Sequence, residues 1–255
     1  MRPLIYLLRH GEVDKGVPRR FLGRTDLGLN DNGIRQARAL GERLRTIPFA
    51  GVIASPLRRA VETAALVSGR PVAAVEVMAA LAEIDLGAWE GHTVAEVRQR
   101  FPGAYERRGQ DLEHYRPEGG ESFADLAARV CPVVFALAAR APGPLLVVAH
   151  AGVNRVVLSR LLRRPLQNLL AIPQDYGAVN ILRTGTQGVE VAAINLGDRD
   201  SWPPEQPMKT GLLPNERLQD LVRGHGPLLP RRFDPGGVGA GHARDMNLEL
   251  QGATA

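Results

Sequence analysis

One cysteine in a chain of 255 residues, Cys131, leaves no partner for an internal disulfide and suits a reducing cytoplasm. Aromatic residues make up only 5% of the chain, thin provision for stacking nucleic-acid bases. Long apolar runs are missing too: a run such as Leu145 to Ala149 is far too short to span a bilayer. Met1-Arg2-Pro3 leads straight into the first apolar segment and leaves no room for a signal peptide, so the expected location is cytoplasmic. Together these absences point away from secreted, membrane and nucleic-acid-binding classes.

What is present is an ordinary globular composition, 44% hydrophobic and 23% charged, with length enough for one substantial core. The net charge is +5. Its arginines are spread along predicted helices rather than gathered in a tract. From Ser201 onward six basic residues balance six acidic ones, so the excess lies in residues 1–200. A basic body of this kind fits a small anionic substrate. The last 55 residues hold seven of the 19 prolines and eight of the 28 glycines. They read as a C-terminal extension, 201–255, partly irregular or disordered, with a helical turn only at Leu218 to Val222.

Periodicity places strands at Leu4 to Leu8, Gly51 to Ala54, Val72 to Val77 and Leu145 to Ala149, with a closing pair at Ala178 to Leu182 and Val189 to Ile194. Helices are predicted after Asn30 or Asp31, from Leu57 to Val67, from Thr93 to Arg100, after Ser122 and from Val153 to Leu162. Ser55-Pro56 reads as a helix start, and Pro132 should bend its helix or move its boundary. Segments 13–28 and 81–91 read as loops, and 103–120 as irregular with some helix. This alternation implies an α/β fold with a mostly parallel central sheet and helices on both faces, spanning residues 1–200.

Two histidines stand just after buried strands, His10 in Arg9-His10-Gly11 and His150 in Ala149-His150-Ala151-Gly152. The carboxyl ends of parallel strands share an edge, so the pair is expected in one site. Arg9 beside His10, and Arg59 near a helix start, would repel a metal cation but hold a tetrahedral dianion through paired hydrogen bonds. No cysteine or second histidine lies close enough in sequence to complete a zinc set, so neither metal nor cofactor is expected. Arg58 reads as a solvated or salt-bridged surface charge.

Leu8-Arg9-His10-Gly11-Glu12 resembles the signature of the histidine phosphatase (phosphoglycerate mutase-like) superfamily. The likeness continues in Arg20-Phe21-Leu22-Gly23-Arg24-Thr25-Asp26, Leu29 to Gly33 with Gln36-Ala37, and Ser55-Pro56-Leu57-Arg58-Arg59-Ala60 with Thr63-Ala64. It recurs in Leu81 to Asp85, Trp89-Glu90-Gly91, Gly119-Gly120-Glu121-Ser122 and Val148 to Gly152. The resemblance implies that His10 attacks phosphorus as a neutral imidazole, its other nitrogen held by a backbone carbonyl. It implies that Arg9, Arg59 and a protonated His150 hold the phosphoryl oxygens, and that Glu83 is the general acid and base. Arg20, Gly23 and Thr25 would line the phosphate or substrate side. The family often carries an asparagine a few residues after the signature glycine; Asp14, Lys15 and Gly16 fill that region here.

The short segment between Glu83 and His150, with its compact Gly119-Gly120-Glu121-Ser122 turn, resembles the phosphatase branch, and in pattern α-ribazole phosphatase most. Arg107-Arg108 superficially resembles a mutase substrate clamp. Arg107, Arg108, His114, Tyr115 and Tyr176 are candidate specificity residues. The expected activity is metal-independent hydrolysis of a small phosphorylated metabolite such as α-ribazole phosphate or a sugar phosphate. The alternatives are a cofactor-dependent phosphoglycerate mutase and a non-catalytic phospho-ligand-binding module. No nucleic acid or membrane partner is expected; a homodimer is left open.

Overall fold

The computed structural model describes residues 4–185 and 188–197. The predicted C-terminal extension, with its helical turn at Leu218 to Val222, lies outside the described residues. Six strands, β1 (Leu4–Arg9), β2 (Gly51–Ala54), β3 (Glu76–Val77), β4 (Leu145–Ala149), β5 (Val179–Gly185) and β6 (Gly188–Leu196), form one sheet in the order β3-β2-β4-β1-β5-β6. The first four strands run parallel, and β5 and β6 close one edge antiparallel. Among the described residues no helix is long and apolar enough to cross a membrane.

Alternation within the strands builds two cores. Tyr6 and Leu8 of β1 face helices α1 (Asp31–Leu44) and α2 (Arg58–Ser68). Ile5 and Leu7 face α5 (Phe123–Arg140) and α6 (Ala151–Leu161), together with the short helices α3 (Val94–Arg100) and α4 (Ala104–Gln110). Strands buried on both faces read as continuous apolar runs, which is why β1 and β4 were legible.

Several local expectations need correction. The strand predicted from Val72 to Val77 shrinks to β3; Pro71 and Val72 instead accept turn bonds from Ala74 and Val75, forming a 3-10 turn. Of the two caps expected for α1, Asn30 is the one the structure bears out, its side chain accepting from Gly33 N at 2.8 Å. Pro132 does not interrupt α5, which runs through it and buries twelve side chains. A helix-interior proline costs about 3 kcal/mol, whereas burying one large aliphatic side chain returns roughly 1.5–3 kcal/mol. Packing therefore wins. Ser55 does not cap α2: Leu57 is the cap residue, and Asp26 accepts from Arg58 N at 2.6 Å.

Candidate active site

Three adjacent strands deliver three polar residues to one edge. Arg9 of β1 pairs in register with Ala149 of β4, so the next residues, His10 and His150, leave their strands at the same level. Their rings meet edge to face, 5.0 Å between centroids. Ala54 of β2 pairs with Val148, and the following residue, Ser55, brings its hydroxyl to 2.6 Å from His150 Nε2. A parallel ladder with short strands thus assembles residues remote in sequence.

His10 is 5% exposed, and its Nδ1 lies 2.7 Å from the carbonyl oxygen of Gly11. Only a protonated Nδ1 can donate to that carbonyl, so in the neutral tautomer Nε2 carries the free lone pair. Burial, then the charges of Arg59 and Arg9, hold the His10 pKa well below 6.5. Gly11 N donates to Thr63 Oγ1 at 3.0 Å, and the same hydroxyl donates to Arg59 O at 2.6 Å. A side chain at Gly11 would meet the backbone of Gly33, so this turn requires glycine.

His150 is fully buried and its Nδ1 has no partner. Burial first, then His10, Arg59 and Arg9, depress its pKa well below 6.5. Burial and these charges thus disfavour the protonated form in the ligand-free site; the expectation of a protonated His150 concerns the site with a substrate dianion in it.

Arg59 is buried, its two terminal nitrogens each donating at 2.7 Å to Thr25 O and Gly23 O. Glu90 clamps that loop, accepting from Gly23 N at 2.8 Å, Thr25 N at 3.0 Å and Thr25 Oγ1 at 2.6 Å. Gly23 and Thr25 therefore aim Arg59, and their donors are spent on Glu90 rather than offered to a phosphate. Arg9 donates from Nη1 to Gln174 O, and its guanidinium lies 3.7 Å over the ring of Tyr176. Its Nε is buried without a partner. Gln174 is fixed in turn by buried Asn154 and Asn180, each donating to its Oε1 at 3.0 Å.

Glu83 is 8% exposed. Its Oε2 accepts from Gly152 N, in the first turn of α6, at 3.0 Å, and its Oε1 from Ile84 N at 2.9 Å. Arg129 of α5 braces the strand of chain leading to it, donating to Ala80 O at 2.8 Å and Ala82 O at 3.0 Å while paired with Glu121 at 2.8 Å. The turn at 118–121 locks onto the segment after Glu83: Ala88 N donates to Glu118 O, and Glu121 N to Asp85 O, both at 2.8 Å.

The structure thus gathers His10, His150, Arg9, Arg59, Glu83 and Tyr176. It does not bring Arg20 to them, since that guanidinium donates to Gly91 O and pairs with Glu96 at 3.1 Å. Arg107 is exposed on α4 with a long 3.5 Å contact to Pro102 O. Arg108 instead stacks over Trp89 and Phe123, and Tyr115 packs on Trp89. His114 turns to Asp111, with Nδ1 3.2 Å from its carboxylate. Tyr105 of α4 and Tyr115 thus belong to an aromatic cluster with Phe21 and Trp89. Ser55, Arg129 and Gln174 went unread as site residues; their roles arise through space, with no sequence signal beyond Ser55 ending a strand.

A sequence profile described as the histidine phosphatase superfamily, branch 1, matches residues 5–197. The chain belongs to this family. It is 37% identical over 175 residues to a bifunctional protein of Mycobacterium tuberculosis, covering 68% of this chain and 45% of that one. The chain thus spans under half the length of that relative. Among solved structures, it resembles a mycobacterial glucosyl-3-phosphoglycerate phosphatase in complex with VO3 (TM-score 0.66, 31% identity, 77% of this chain and 100% of that one). It also resembles the α-ribazole phosphatase of Shigella flexneri (TM-score 0.68, 27% identity, 76% and 96%). These neighbours share the architecture that the strand pattern implied.

Proposed function

We propose that this protein hydrolyses small phosphomonoesters through a phosphohistidine on His10. The observation that carries the reading is the 2.7 Å contact from His10 Nδ1 to Gly11 O, which leaves Nε2 as a nucleophile inside a ring of cations. Nε2 attacks phosphorus and the bond from phosphorus to the ester oxygen breaks, Glu83 giving that oxygen its proton. Glu83 then takes a proton from water, the water oxygen bonds to phosphorus, and the P–N bond breaks to release inorganic phosphate. Arg9 Nε and His150 Nδ1, both buried and unpartnered, are the donors for two phosphoryl oxygens, with Arg59 fixed beside them. The incoming dianion favours a protonated His150, which the ligand-free site does not.

The compact turn at 118–121 packed against the segment after Glu83 supports hydrolysis over mutase chemistry, which needs a cover that keeps water from the phosphoenzyme. The similar solved structures include phosphatases named for α-ribazole phosphate and glucosyl-3-phosphoglycerate, so small phosphorylated metabolites of these kinds are the substrates to try. A phosphate-release screen over such esters, with and without a chelator, tests the reading. Phosphate release that the chelator leaves intact is expected. Isomerisation of 3-phosphoglycerate with a bisphosphoglycerate primer and no net phosphate release would establish the mutase instead.

A further inference from the structure

The phosphoryl site employs Arg9 and Arg59, yet three more cations surround it. Lys15 and Arg19 sit on the loop that follows the nucleophile, and Arg155 lies on α6 one turn beyond Ala151. Lys15 is half-buried, its ammonium 5.2 Å from the ring of Tyr176, the ring that Arg9 covers at 3.7 Å and that lies 5.6 Å from His10. Arg155 Nε donates to Ile172 O at 2.9 Å, two residues before the glutamine that holds Arg9. Exposed Arg19 is close enough for its charge to act on Arg9, Lys15, Arg155 and Tyr176.

Several arginines elsewhere on this protein pair with carboxylates, among them Arg20 with Glu96, Arg24 with Asp85, Arg98 with Glu106, Arg116 with Asp125 and Arg183 with Glu190. Among the described residues, Lys15, Arg19 and Arg155 have no carboxylate at ion-pair distance. Glu83 is the anion whose field Arg9, Lys15 and Arg155 share, and Asp175 offsets Arg155 at longer range. A phosphoryl dianion balances Arg9 and Arg59, and Glu83 and Asp175 offset only part of the charge of the outer three. Burial first, and then the charges of Arg19 and Arg9, lower the Lys15 pKa to about 8. The Tyr176 hydroxyl, buried and unpartnered, stands in the same place as a spare donor.

We propose that Lys15, Arg19 and Arg155 form a second anion subsite beside the phosphoryl site, which takes a carboxylate or second phosphate carried by the same substrate. The substrate class narrows to small phosphomonoesters with a further negative group. This assignment rests on the phosphatase reading for where the reacting phosphate lies, but its test does not need turnover.

Glycerol 3-phosphate and 3-phosphoglycerate differ at the terminal group, a neutral alcohol against a carboxylate. Calorimetric titration of the His10→Ala protein with each gives the contribution of that group. A carboxylate preference of about tenfold is expected, the scale of one charge-assisted hydrogen bond. Fructose 6-phosphate against fructose 1,6-bisphosphate is the matching pair for a second phosphate, and the larger preference identifies the anion. Adding Lys15→Met, Arg19→Ala or Arg155→Met should remove most of the preference; Arg19 is exposed, so its variant is expected to fold. No preference in either pair, or one that survives all three substitutions, overturns the subsite. Wild-type protein that prefers the second anion yet releases no phosphate would keep the subsite and overturn the phosphatase reading. Phosphate release without any preference would do the reverse.

Discussion

Gly152 and Glu83 meet backbone to carboxylate: Gly152 N donates to Glu83 Oε2 at 3.0 Å, and a Cβ at residue 152 would fall 3.1 Å from Glu83 Cδ and closer still to Oε1. The carboxylate is seated on the first turn of α6 because no side chain stands there. The same turn begins at His150, so one helix start fixes both the proposed acid and the second histidine.

Gly152→Ala should therefore displace Glu83 while leaving both cores intact. Loss of a positioned acid–base group costs about 10²–10⁴-fold, and partial displacement should take kcat down at least tenfold. In a Glu83→Gln background the same substitution should add little, because the group it disturbs is already disabled. Additive losses would show that Gly152 acts on something other than Glu83.

Ser55→Ala removes the hydroxyl at 2.6 Å from His150 Nε2 inside a fully buried pocket. An unsatisfied buried imidazole should lower unfolding stability by about 1–3 kcal/mol. Phosphate affinity should fall with it, since His150 loses the partner that orients its Nδ1. Ser55→Thr, which keeps the hydroxyl, should recover the affinity at least in part. Titration of both variants with inorganic phosphate, alongside urea melts, checks this.

Acid should destabilise the ligand-free protein earlier than its carboxylates alone would dictate. His10 and His150 titrate well below 6.5 when folded and near 6.5 when unfolded. Below that value the unfolded chain binds protons that the folded one refuses. Stability is thus complete above about pH 7 and falls as pH drops through 6.5, by up to about 1.4 kcal/mol per pH unit for each imidazole. Thermal melts from pH 7.5 to 5.5 should show the decline, and inorganic phosphate should flatten it. A flat profile without phosphate would mean the histidines are not held neutral by burial.

Much of the architecture was legible because β1 and β4 are apolar runs that end in histidine, and because α1, α3 and α5 open with side-chain caps at Asn30, Thr93 and Ser122. The pairing of His10 with His150 followed from strand-end geometry. What the chain order hid is lateral. Ser55 resembled a helix start because Pro56 follows it, and only the β2–β4 register turns it toward His150. Arg20 and Thr25 belong to a motif whose donors the fold spends on Glu96 and Glu90. Lys15 and Arg155 were visible charges near the two histidines, but single-residue reading gave no reason to join them.

Residues 201–255 are proposed to be an extension to the catalytic domain. A chain ending at residue 200 should fold and retain phosphate binding, as circular dichroism and titration would report. A truncated protein that fails to fold would place the extension within the core.

The proposed chemistry turns on a covalent bond between His10 and phosphorus, and rapid-quench trapping reads that bond directly. After brief mixing with a turned-over phosphomonoester, alkaline denaturation and peptide mass spectrometry should find one phosphoryl group on the peptide containing His10. The label should be acid-labile, and absent from His10→Ala. Steady phosphate release with no phosphoenzyme, or with the label on another residue, would contradict it.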